Sequence, residues 1–483
     1  MPVRHEALEA PNKKSKAAFF IRRIYIEKLF GRYTYDLRCK APESEASKLL
    51  ILYGDNGSGK TTILKLVFNL LSHIDNVGHK TYLAHTRFRK LAVELGKGTQ
   101  VVAARRGKML TGAFTAYVRR NRKVESQIKF NVDKDGDVVA PPDPRLRIVY
   151  NARLERFLTS LARLKIALFF LTDERELLRN VPPASERGRR STPNPEELEK
   201  AISEQMGQRR ASRLRSKVLD VALSQATAAA IEWTKEQVLS GSKQGETDAN
   251  SIYAEIVKRL ASISDATRKN RRTNVRQLIS MLKEQAARSQ DFAKFGFPSA
   301  VNIDELIRSL GSARKDLPTI YKIVEPFADT TKAKLDALQE VQNSVSSFVD
   351  TLNSFFKDKC VAFDLRTGIS VRANDGTALS LPDLSSGEKQ LLLLFCSTLI
   401  TKDTPTVFLI DEPEISLNIK WQRHLIRSIL TSTKKRMVQF VLATHSFELL
   451  APHEENVLQL VDTTNATTRS SAATYSSRTA RNS

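Results

Sequence analysis

The glycine-rich segment at residues 54–61 constrains the fold more than any other part of this chain. It lies between the apolar run LLILY and an amphipathic stretch, TILKLVFNLL, and reads Gly54-Asp55-Asn56-Gly57-Ser58-Gly59-Lys60-Thr61. A strand that enters such a turn and a helix that leaves it surround a phosphate group with backbone N–H donors and the positive end of the helix dipole. The pattern therefore predicts an α/β fold that binds the phosphates of a nucleotide.

The residue types in this loop also predict its ligands. Lys60 can reach β- and γ-phosphate oxygens, and the hydroxyl of Thr61 can bind Mg²⁺, so we expect ATP and Mg²⁺. The predicted ATP-binding residues are Asn56, Gly57, Ser58, Gly59, Lys60, Thr61 and Thr62. The alternative, a tight glycine-rich turn without a nucleotide, fits the flanking strand and helix less well.

A pair of carboxylates follows another apolar run, in the segment TVFLIDEPEISL. The strand-like residues Val407–Ile410 directly precede Asp411 and Glu412. A carboxylate at the end of such a strand can hold Mg²⁺, and the next one can take a proton from an attacking water. We therefore predict that Asp411 and Thr61 bind the metal and that Glu412 is the catalytic base. Alone, such a pair is also typical of a solvated helix cap.

Two further segments carry candidate phosphate contacts. Ser385-Ser386-Gly387-Glu388 precedes an apolar helix-forming run, and the run MVQFVLAT leads to His445. The first pattern is typical of an N-capped helix, but a helix N-terminus with a hydroxyl and a glycine is also a phosphate receptor. For His445 we predict a catalytic role at the γ-phosphate, with an ordinary core or surface histidine as the alternative.

The remaining patterns predict the organisation of the chain. Alternating apolar residues predict two short strands after Phe19, and the pieces LAVEL, TQVVAA, FTAYV and QIKFNV predict an antiparallel β lobe. After the buried-strand run IALFFLT the chain becomes rich in Pro, Ser and Arg and then helix-forming, which predicts an inserted α-helical arm. The expected segments are a disordered N-terminus at 1–18, the two halves of an α/β head at 19–180 and 335–462, the arm at 181–334, and a disordered tail at 463–483.

The charge balance favours a polyanionic partner. The chain carries 77 Lys and Arg against 53 Asp and Glu, a net charge of +24. Residues 81–130 are strongly basic, with Glu94 and Glu125 as their acidic residues, and further basic clusters lie at 209–215 and 268–276. Such an excess favours binding to DNA or to an acidic protein that mimics DNA. A solvated surface that only aids solubility is the alternative.

The sequence also excludes several classes of protein. No apolar run reaches the ~18 residues of a membrane-spanning helix, and the N-terminus lacks the apolar core of a secretory signal. We therefore expect a cytoplasmic protein without a membrane partner. Cys39, Cys360 and Cys396 have neither disulfide-framework nor zinc-site spacing, so we expect them to be packing residues.

In chain order, the phosphate loop, the SSGE helix, the acidic strand end and His445 resemble the head of ABC-type ATPases. The form LSSGEKQ is closer to SMC-like proteins than to transporters. The resemblance covers residues 19–180 and 335–462, and it implies a P-loop mixed sheet, an antiparallel β lobe and an inserted helical arm. It also implies a homo-oligomer in which heads pair head to tail and enclose ATP between them.

In such a sandwich the signature of one subunit would meet the γ-phosphate bound at Lys60 of another, and hydrolysis would occur at composite sites. The signature residues would be Ser385, Ser386, Gly387 and Glu388. The resemblance also places the D-loop at 416–418.

Two features depart from the family. Asp173 and Glu174 follow IALFFLT where a glutamine is usual, and either Tyr33 or Tyr35 could stack on adenine or pack against its strand.

Among such heads, the segments SSGEKQLLLLF, IDEPEISLNIKWQ and ATHSFELL are similar to the ATPases of the PARIS and Septu anti-phage systems. The resemblance implies a sensor and scaffold that controls an effector nuclease, of the TOPRIM type in PARIS and the HNH type in Septu. Since only residues 463–483 follow the last predicted strand, we expect that nuclease on a separate chain. The alternative is an SMC-like DNA-binding ATPase in repair or tethering, although an arm formed by residues 181–334 would span at most about 110 Å.

Overall fold

In a computed structural model, the contacts divide the chain into two units, residues 1–219 with 401–483, and residues 220–400. The structure describes residues 20–40, 48–74, 78–96, 98–174, 177–180, 219–241, 271–297, 317–401, 404–434 and 436–463. The segment 1–18, the tail after residue 463, and the side chains of the basic clusters at 209–215 and 268–276 lie outside this description. Residues 335–400, predicted as part of the head's second half, are grouped with the helical unit.

The first unit combines a mixed sheet, an antiparallel sheet and several helices. Its elements up to residue 180 are β1 (Ile21–Leu29), β2 (Tyr33–Arg38), β3 (Leu49–Tyr53), α1 (Lys60–Leu71), α2 (His79–His85), β4 (Lys90–Leu95), β5 (Thr99–Ala104), β6 (Phe114–Arg120), β7 (Lys123–Val132), β8 (Val138–Val139), α3 (Pro144–Ala162), β9 (Ala167–Leu171) and β10 (Leu177–Asn180).

The second unit is mostly helical and carries a small antiparallel sheet. Its elements are α4 (219–241), α5 (Arg271–Ala293), α6 (Leu317–Phe355), β11 (Lys359–Asp364), β12 (Gly368–Ala373), β13 (Ala378–Leu379) and α7 (Ser386–Leu399). The chain then returns to the first unit with β14 (Thr406–Asp411), α8 (Ile419–Ser432), β15 (Val438–Thr444), α9 (Phe447–Leu450) and β16 (Val457–Gln459).

The mixed sheet has six strands in the order β10-β9-β14-β15-β3-β16. Four parallel strands are buried along almost their whole length: β9, β14, β15 and β3. Parallel strands are covered on both faces, and this explains why each of these strands is a continuous apolar run. They pair in parallel register, with Asp411 of β14 opposite Ala443 and Thr444 of β15 opposite Tyr53. The segments that follow the three adjacent strands β14, β15 and β3 therefore leave the sheet at the same end, the carboxyl end of these strands.

The antiparallel sheet has seven strands in the order β2-β1-β4-β5-β6-β7-β8. Alternate residues of β6 are buried, as the period-2 pattern of its sequence requires for a strand covered on one face. This sheet confirms both the two short strands after Phe19 and the predicted β lobe. Helix α1 and both sheets contribute to one hydrophobic cluster, which includes Ile24, Phe68, Val101 and Leu409. The phosphate loop is thus fixed to a helix that is itself part of the core.

The long helix α6 organises the second unit. Its predicted apolar stripe is confirmed by seven buried side chains, Leu335, Leu338, Val341, Val345, Phe348, Leu352 and Phe355. Four of these residues join Val238 of α4, Phe292 of α5 and Phe363 of β11 in one hydrophobic cluster. The unit therefore has a core of its own, and the predicted helical insertion is confirmed.

The cysteines do not share one environment. Cys396 is buried and Cys39 is half-buried, whereas Cys360 is exposed on β11, so the packing role predicted for Cys360 is wrong. Within the ranges given above, no helix is long and apolar enough to span a bilayer.

Candidate nucleotide-binding site

The loop between β3 and α1 has the backbone that a phosphate-binding turn requires. Gly57 and Gly59 adopt φ values of +80° and +95°. A Cβ atom on Gly59 would lie 2.8 Å from Leu29 Cδ2 and 3.0 Å from Phe30 Cε2, so glycine is required there by conformation and by space. Helix α1 begins at Lys60 without a side-chain cap. Its first amide groups are therefore available to an anion.

Lys60 and Tyr35 support this loop from inside. The Lys60 ammonium is nearly buried and donates hydrogen bonds to the carbonyl oxygens of Gly54 at 2.8 Å and Asp55 at 3.3 Å. The Tyr35 hydroxyl donates to the Ser58 carbonyl at 2.9 Å, and burial raises the pKa of Tyr35 to about 12. Tyr35 is therefore a packing and loop-supporting residue.

Besides Tyr35, two aromatic residues, Tyr33 and Phe30, lie near the phosphate loop. Tyr33 is half-exposed and stacks on Tyr35 with the ring centroids 5.7 Å apart. The guanidinium of Arg32 lies 5.3 Å from the centroid of Tyr33. Phe30, which the sequence did not single out, is 39% exposed and lies against Gly59. Of the two predicted candidates, Tyr33 is the one with exposed ring surface.

Asp411 lies at the end of β14 and is 1% exposed. Burial raises its pKa to about 6; Asp173 raises it further, while a hydrogen bond with Thr61 and the charges of Lys65 and Lys60 lower it. Thr61 and Asp411 are thus brought together as predicted. Neither Asp411 carboxylate oxygen receives a well-aligned hydrogen bond from the described residues. A buried pair of hard oxygen donors in need of a cation fits Mg²⁺.

Asp173 follows β9, at the position where the sequence resemblance implied a glutamine. Because β9 pairs with β14 in parallel, with Leu171 opposite Ile410, Thr172 follows at the level of Asp411 and Asp173 lies one residue beyond it. Its charge is close enough to raise the pKa of Asp411. An exposed carboxylate therefore lies near Thr61 and Asp411, the residues predicted to bind the metal.

Glu412 follows Asp411 in an unusual backbone conformation. Its φ is +45°, and its amide donates to the Ala443 carbonyl at 2.8 Å. Oε2 of Glu412 lies 2.6 Å from Nδ1 of His445. Burial raises the pKa of Glu412 to about 7, Glu414 raises it further, and His445 lowers it. A non-glycine residue in the left-handed region stores strain, which is typical of active sites.

Glu414 is a member of the site that the sequence analysis did not identify. Its side chain is 7% exposed, and Oε1 accepts hydrogen bonds from the Thr444 hydroxyl, the His445 amide at 3.3 Å and the Ser446 amide at 3.2 Å. One buried carboxylate therefore holds the turn that carries His445. The repeated glutamate in DEPE, two positions after Glu412, was the available signal.

Gln422 extends this network to the predicted D-loop. Its amide nitrogen donates to the Leu417 carbonyl at 2.9 Å, and its oxygen accepts from the Ser446 hydroxyl at 2.9 Å. Asn418 caps helix α8 through the Trp421 amide at 3.0 Å. The D-loop and the histidine turn are thus joined by side-chain hydrogen bonds. No local sequence pattern predicts the role of Gln422, because its partners are a main-chain carbonyl and the remote Ser446.

The signature residues belong to the second unit. Ser385 caps α7, its hydroxyl accepting from the Glu388 amide at 3.4 Å while the Glu388 carboxylate accepts from the Ser385 amide at 2.7 Å. Lys359 holds the same carboxylate at 2.7 Å. This confirms the N-capped helix. Ser385 and Ser386 are exposed, whereas Gly387 is buried.

The basic residues of 81–130 fall into different environments. Arg105 is buried and donates to three main-chain carbonyl oxygens, and burial lowers its pKa to about 10. Arg89 and Arg120 form ion pairs with glutamates at 3.6 and 3.4 Å. Arg106 and Lys108 are exposed. Part of the basic excess in this segment therefore stabilises the fold itself.

Comparisons with known proteins complete the description of the site. Residues 149–451 match a family model described as "AAA domain, putative AbiEii toxin, Type IV TA system". No curated protein sequence matches the chain. Among solved structures, it is similar to the Smc head domain of Pyrococcus furiosus, with 13% identity, coverage of 92% of this chain and 94% of that one, and a TM-score of 0.35. For the Smc head domain of Pyrococcus yayanosii the identity is 12%, the coverage is 92% of this chain and 95% of that one, and the TM-score is 0.34. For the SMC head domain of Thermotoga maritima the identity is 13%, the coverage is 89% of this chain and 91% of that one, and the TM-score is 0.29.

Proposed function

The chain belongs to the AAA domain family that its residues 149–451 match, and from this premise we propose that it hydrolyses ATP at the edge of the mixed sheet. One observation carries the proposal. β3, β15 and β14 are adjacent and parallel, so the phosphate loop, His445 and Asp411 leave the sheet side by side. A phosphate cradle, a cation-binding carboxylate and a base candidate thus share one edge.

In this proposal the first group of residues holds the triphosphate. The uncapped amides of α1 and the loop receive phosphate oxygens. Lys60 exchanges its hydrogen bonds with the Gly54 and Asp55 carbonyls for bonds to β- and γ-phosphate oxygens. Thr61 and Asp411 would hold Mg²⁺, which supplies neutralisation of the charge on the phosphate oxygens.

The second group activates water. Glu412 accepts a proton from the water that attacks the γ-phosphorus, and a pKa of about 7 suits a base that must take up and release protons near neutral pH. His445, with Nδ1 2.6 Å from Oε2 of Glu412, would fix the orientation of this carboxylate. Glu414 positions the histidine turn through its three hydrogen bonds.

We extend the proposal to a site shared by two copies of the chain. The hydroxyls of Ser385 and Ser386 are exposed at the N-terminus of α7, where backbone amides and the helix dipole favour an anion. In a head-to-tail homo-oligomer these residues, with Gly387, would contact the γ-phosphate held at Lys60 of the neighbouring copy. Glu388 would act indirectly, by fixing the cap.

At the level of the cell, we propose an ATP-dependent sensor and scaffold in an anti-phage system, similar to the PARIS and Septu ATPases. Its partners would be a separate effector nuclease of the TOPRIM or HNH type and a polyanionic trigger, DNA or an acidic DNA-mimic protein. The family description names a toxin of a type IV toxin–antitoxin system, which supports a role in a system of paired components. Dependence on ATP favours action in the cytoplasm.

The test is an ATPase assay with the full chain. Lys60→Ala should abolish both binding of a fluorescent ATP analogue and hydrolysis, whereas Glu412→Gln should abolish hydrolysis alone. Glu236→Gln, an exposed glutamate on α4, is the matched control and should hydrolyse ATP like the wild type. Full hydrolysis by Lys60→Ala would overturn the assignment of the site.

The cellular role needs a separate test. Co-expression with a candidate effector nuclease of the TOPRIM or HNH type should protect cells from phage only when Lys60 and Glu412 are intact. An SMC-like repair ATPase would instead protect cells from DNA damage without any nuclease, and that outcome would replace the defence proposal.

A further inference from the structure

The first six residues of α3 have no buried face, and the helix meets the core only from Tyr150 onward. The helix has 19 residues, of which Phe157, Ser160 and Leu161 are buried, all in its C-terminal half. Every residue from Pro144 to Val149 is exposed. Helices in proteins are stabilised mainly by packing of an apolar face, so the protein extends this helix well beyond the part that its own core supports.

Aliphatic side chains make this exposure unusual. Leu146 is 58% exposed, Ile148 71% and Val149 48%. Single exposed apolar residues are ordinary, but Leu146 and Val149, three residues apart, are neighbours on the helix surface, and Ile148 adds apolar surface on the adjoining side. Such a patch on a projecting helix is typical of a surface that another polypeptide covers.

Positive charges outnumber negative ones around these residues, although Asp143 caps the helix and Glu155 is exposed on it. Arg145, Arg147, Arg153 and Arg156 are exposed, and none of them forms an ion pair within the ranges that the structure describes. Apart from the N-cap Asp143, the first turn of α3 has no acidic residue, and Arg145 and Arg147 lie near the positive end of the helix dipole, where cations are disfavoured. An anionic partner would relieve this repulsion.

We propose that this N-terminal half of α3, residues 144–153, docks an acidic polypeptide that presents carboxylates around aliphatic side chains. A DNA backbone would satisfy the arginines but would leave Leu146 and Ile148 exposed. A second copy of α3 would oppose arginine to arginine. The inference deepens the proposed function only in choosing an acidic protein as the polyanion, and the binding it describes requires no ATP.

The test measures binding to the full chain by fluorescence anisotropy. The probe is a synthetic amphipathic peptide in which Glu surrounds a stripe of Leu; polyglutamate of the same length and a DNA duplex of the same charge are compared. We expect the peptide to bind more tightly than either. The triple variant Leu146→Ser/Ile148→Ser/Val149→Ser should weaken peptide binding about tenfold or more and leave polyglutamate and DNA binding unchanged.

The charge contribution is tested with two pairs of substitutions. Arg145→Gln/Arg147→Gln should weaken binding of the peptide and of polyglutamate, whereas the matched pair Arg106→Gln/Lys108→Gln, on an exposed loop, should change neither. All these variants should hydrolyse ATP like the wild type. If the wild type itself does not hydrolyse ATP, the ATP assignment fails, whereas the docking surface is unaffected.

Three results would overturn the inference: no binding of the peptide, equal binding by the serine variant, or tighter binding of DNA that the serine variant weakens. If the serine variant does not fold, hydrogen exchange of the wild type decides instead. Amides of residues 144–153 should exchange rapidly in the free protein and be protected when the peptide is added, and unchanged exchange would refute the docking surface. Concentration-dependent self-association that the serine variant abolishes would identify a second copy as the occupant, against the proposal.

Discussion

The imidazole Nδ1 of His445 lies 2.6 Å from Oε2 of Glu412, although the two residues come from different strands. The contact is set by the pairing of β14 with β15, which places Asp411 opposite Ala443 and lets the Glu412 amide bond to the Ala443 carbonyl at 2.8 Å. The left-handed backbone of Glu412 accompanies this arrangement. The proposed base and its partner are therefore positioned by the sheet.

Replacing the proposed base separates binding from turnover. Glu412→Gln keeps the size of the side chain but cannot accept the proton, so we expect kcat for ATP to fall about 100-fold or more with the affinity for ATP nearly unchanged. A nucleotide-bound assembly should accumulate, which size-exclusion chromatography with ATP would detect. Hydrolysis at the wild-type rate would refute the role of Glu412.

Removing the buried carboxylate that holds the histidine turn should affect the rate more than binding. Glu414→Ala leaves the Thr444 hydroxyl and two amides without their acceptor, so His445 should lose its position beside Glu412. We expect kcat to fall about 10- to 100-fold with KM for ATP within about twofold, and Glu414→Gln, which keeps an acceptor oxygen, to retain more activity.

Glu448→Ala is the control for this truncation, because it removes an exposed carboxylate that pairs with Arg423 at 2.6 Å. Surface ion pairs contribute little, so its kinetics should match the wild type. A parallel loss of thermal stability and kcat in Glu414→Ala, without any recovery in Glu414→Gln, would indicate a purely structural role.

The composite site makes a prediction about mixtures. Lys60→Ala removes the phosphate contact of one copy, and Ser385→Arg places a long cation at the exposed cap of another. Each variant alone should be inactive, but mixed oligomers should recover part of the wild-type ATPase rate, because one of their interfaces combines an intact loop with an intact signature. Titrating one variant against the other and measuring ATPase activity gives the test. Inactivity in mixed oligomers verified by mass spectrometry would argue against sharing of the site.

Local patterns in the sequence were enough to predict the strands and helices that build the site. The loop at 54–61 has a chemical requirement for glycine, and the apolar strands before Asp411 and His445 are continuous because both of their faces are buried. The stripe of α6 is likewise a direct consequence of helical spacing.

What the sequence could not show depends on contacts between distant residues. The role of Glu414 arises from hydrogen bonds to residues 30 or more positions away, and Tyr35 supports the loop from a strand of the other sheet. Cys360 directly precedes the apolar residues Val361 and Ala362, but its position on β11 alternates with the buried Val361 and faces outward. Register and sheet pairing decide such cases, and neither is written in a local pattern.

The buried acids should make the nucleotide-free protein less stable as pH rises. Burial raises the pKa of Asp411 from 3.8 to about 6, so the folded state favours the protonated carboxyl. A raised folded-state pKa contributes stability that is fully present below about pH 4 and is lost as pH rises through about 6. Asp411→Asn removes this cost, because the amide does not ionise.

We therefore expect Tm of nucleotide-free Asp411→Asn to exceed that of the wild type at about pH 8 and the difference to vanish at about pH 4. Asp375→Asn is the control of opposite sign, because hydrogen bonds with Thr377 lower the pKa of Asp375 and its stabilisation is present only above its unfolded-state pKa. Differential scanning fluorimetry across this pH range gives both values. A lower Tm for Asp411→Asn at about pH 8 would mean that its carboxylate is already compensated in the folded protein, which contradicts a site in need of a cation.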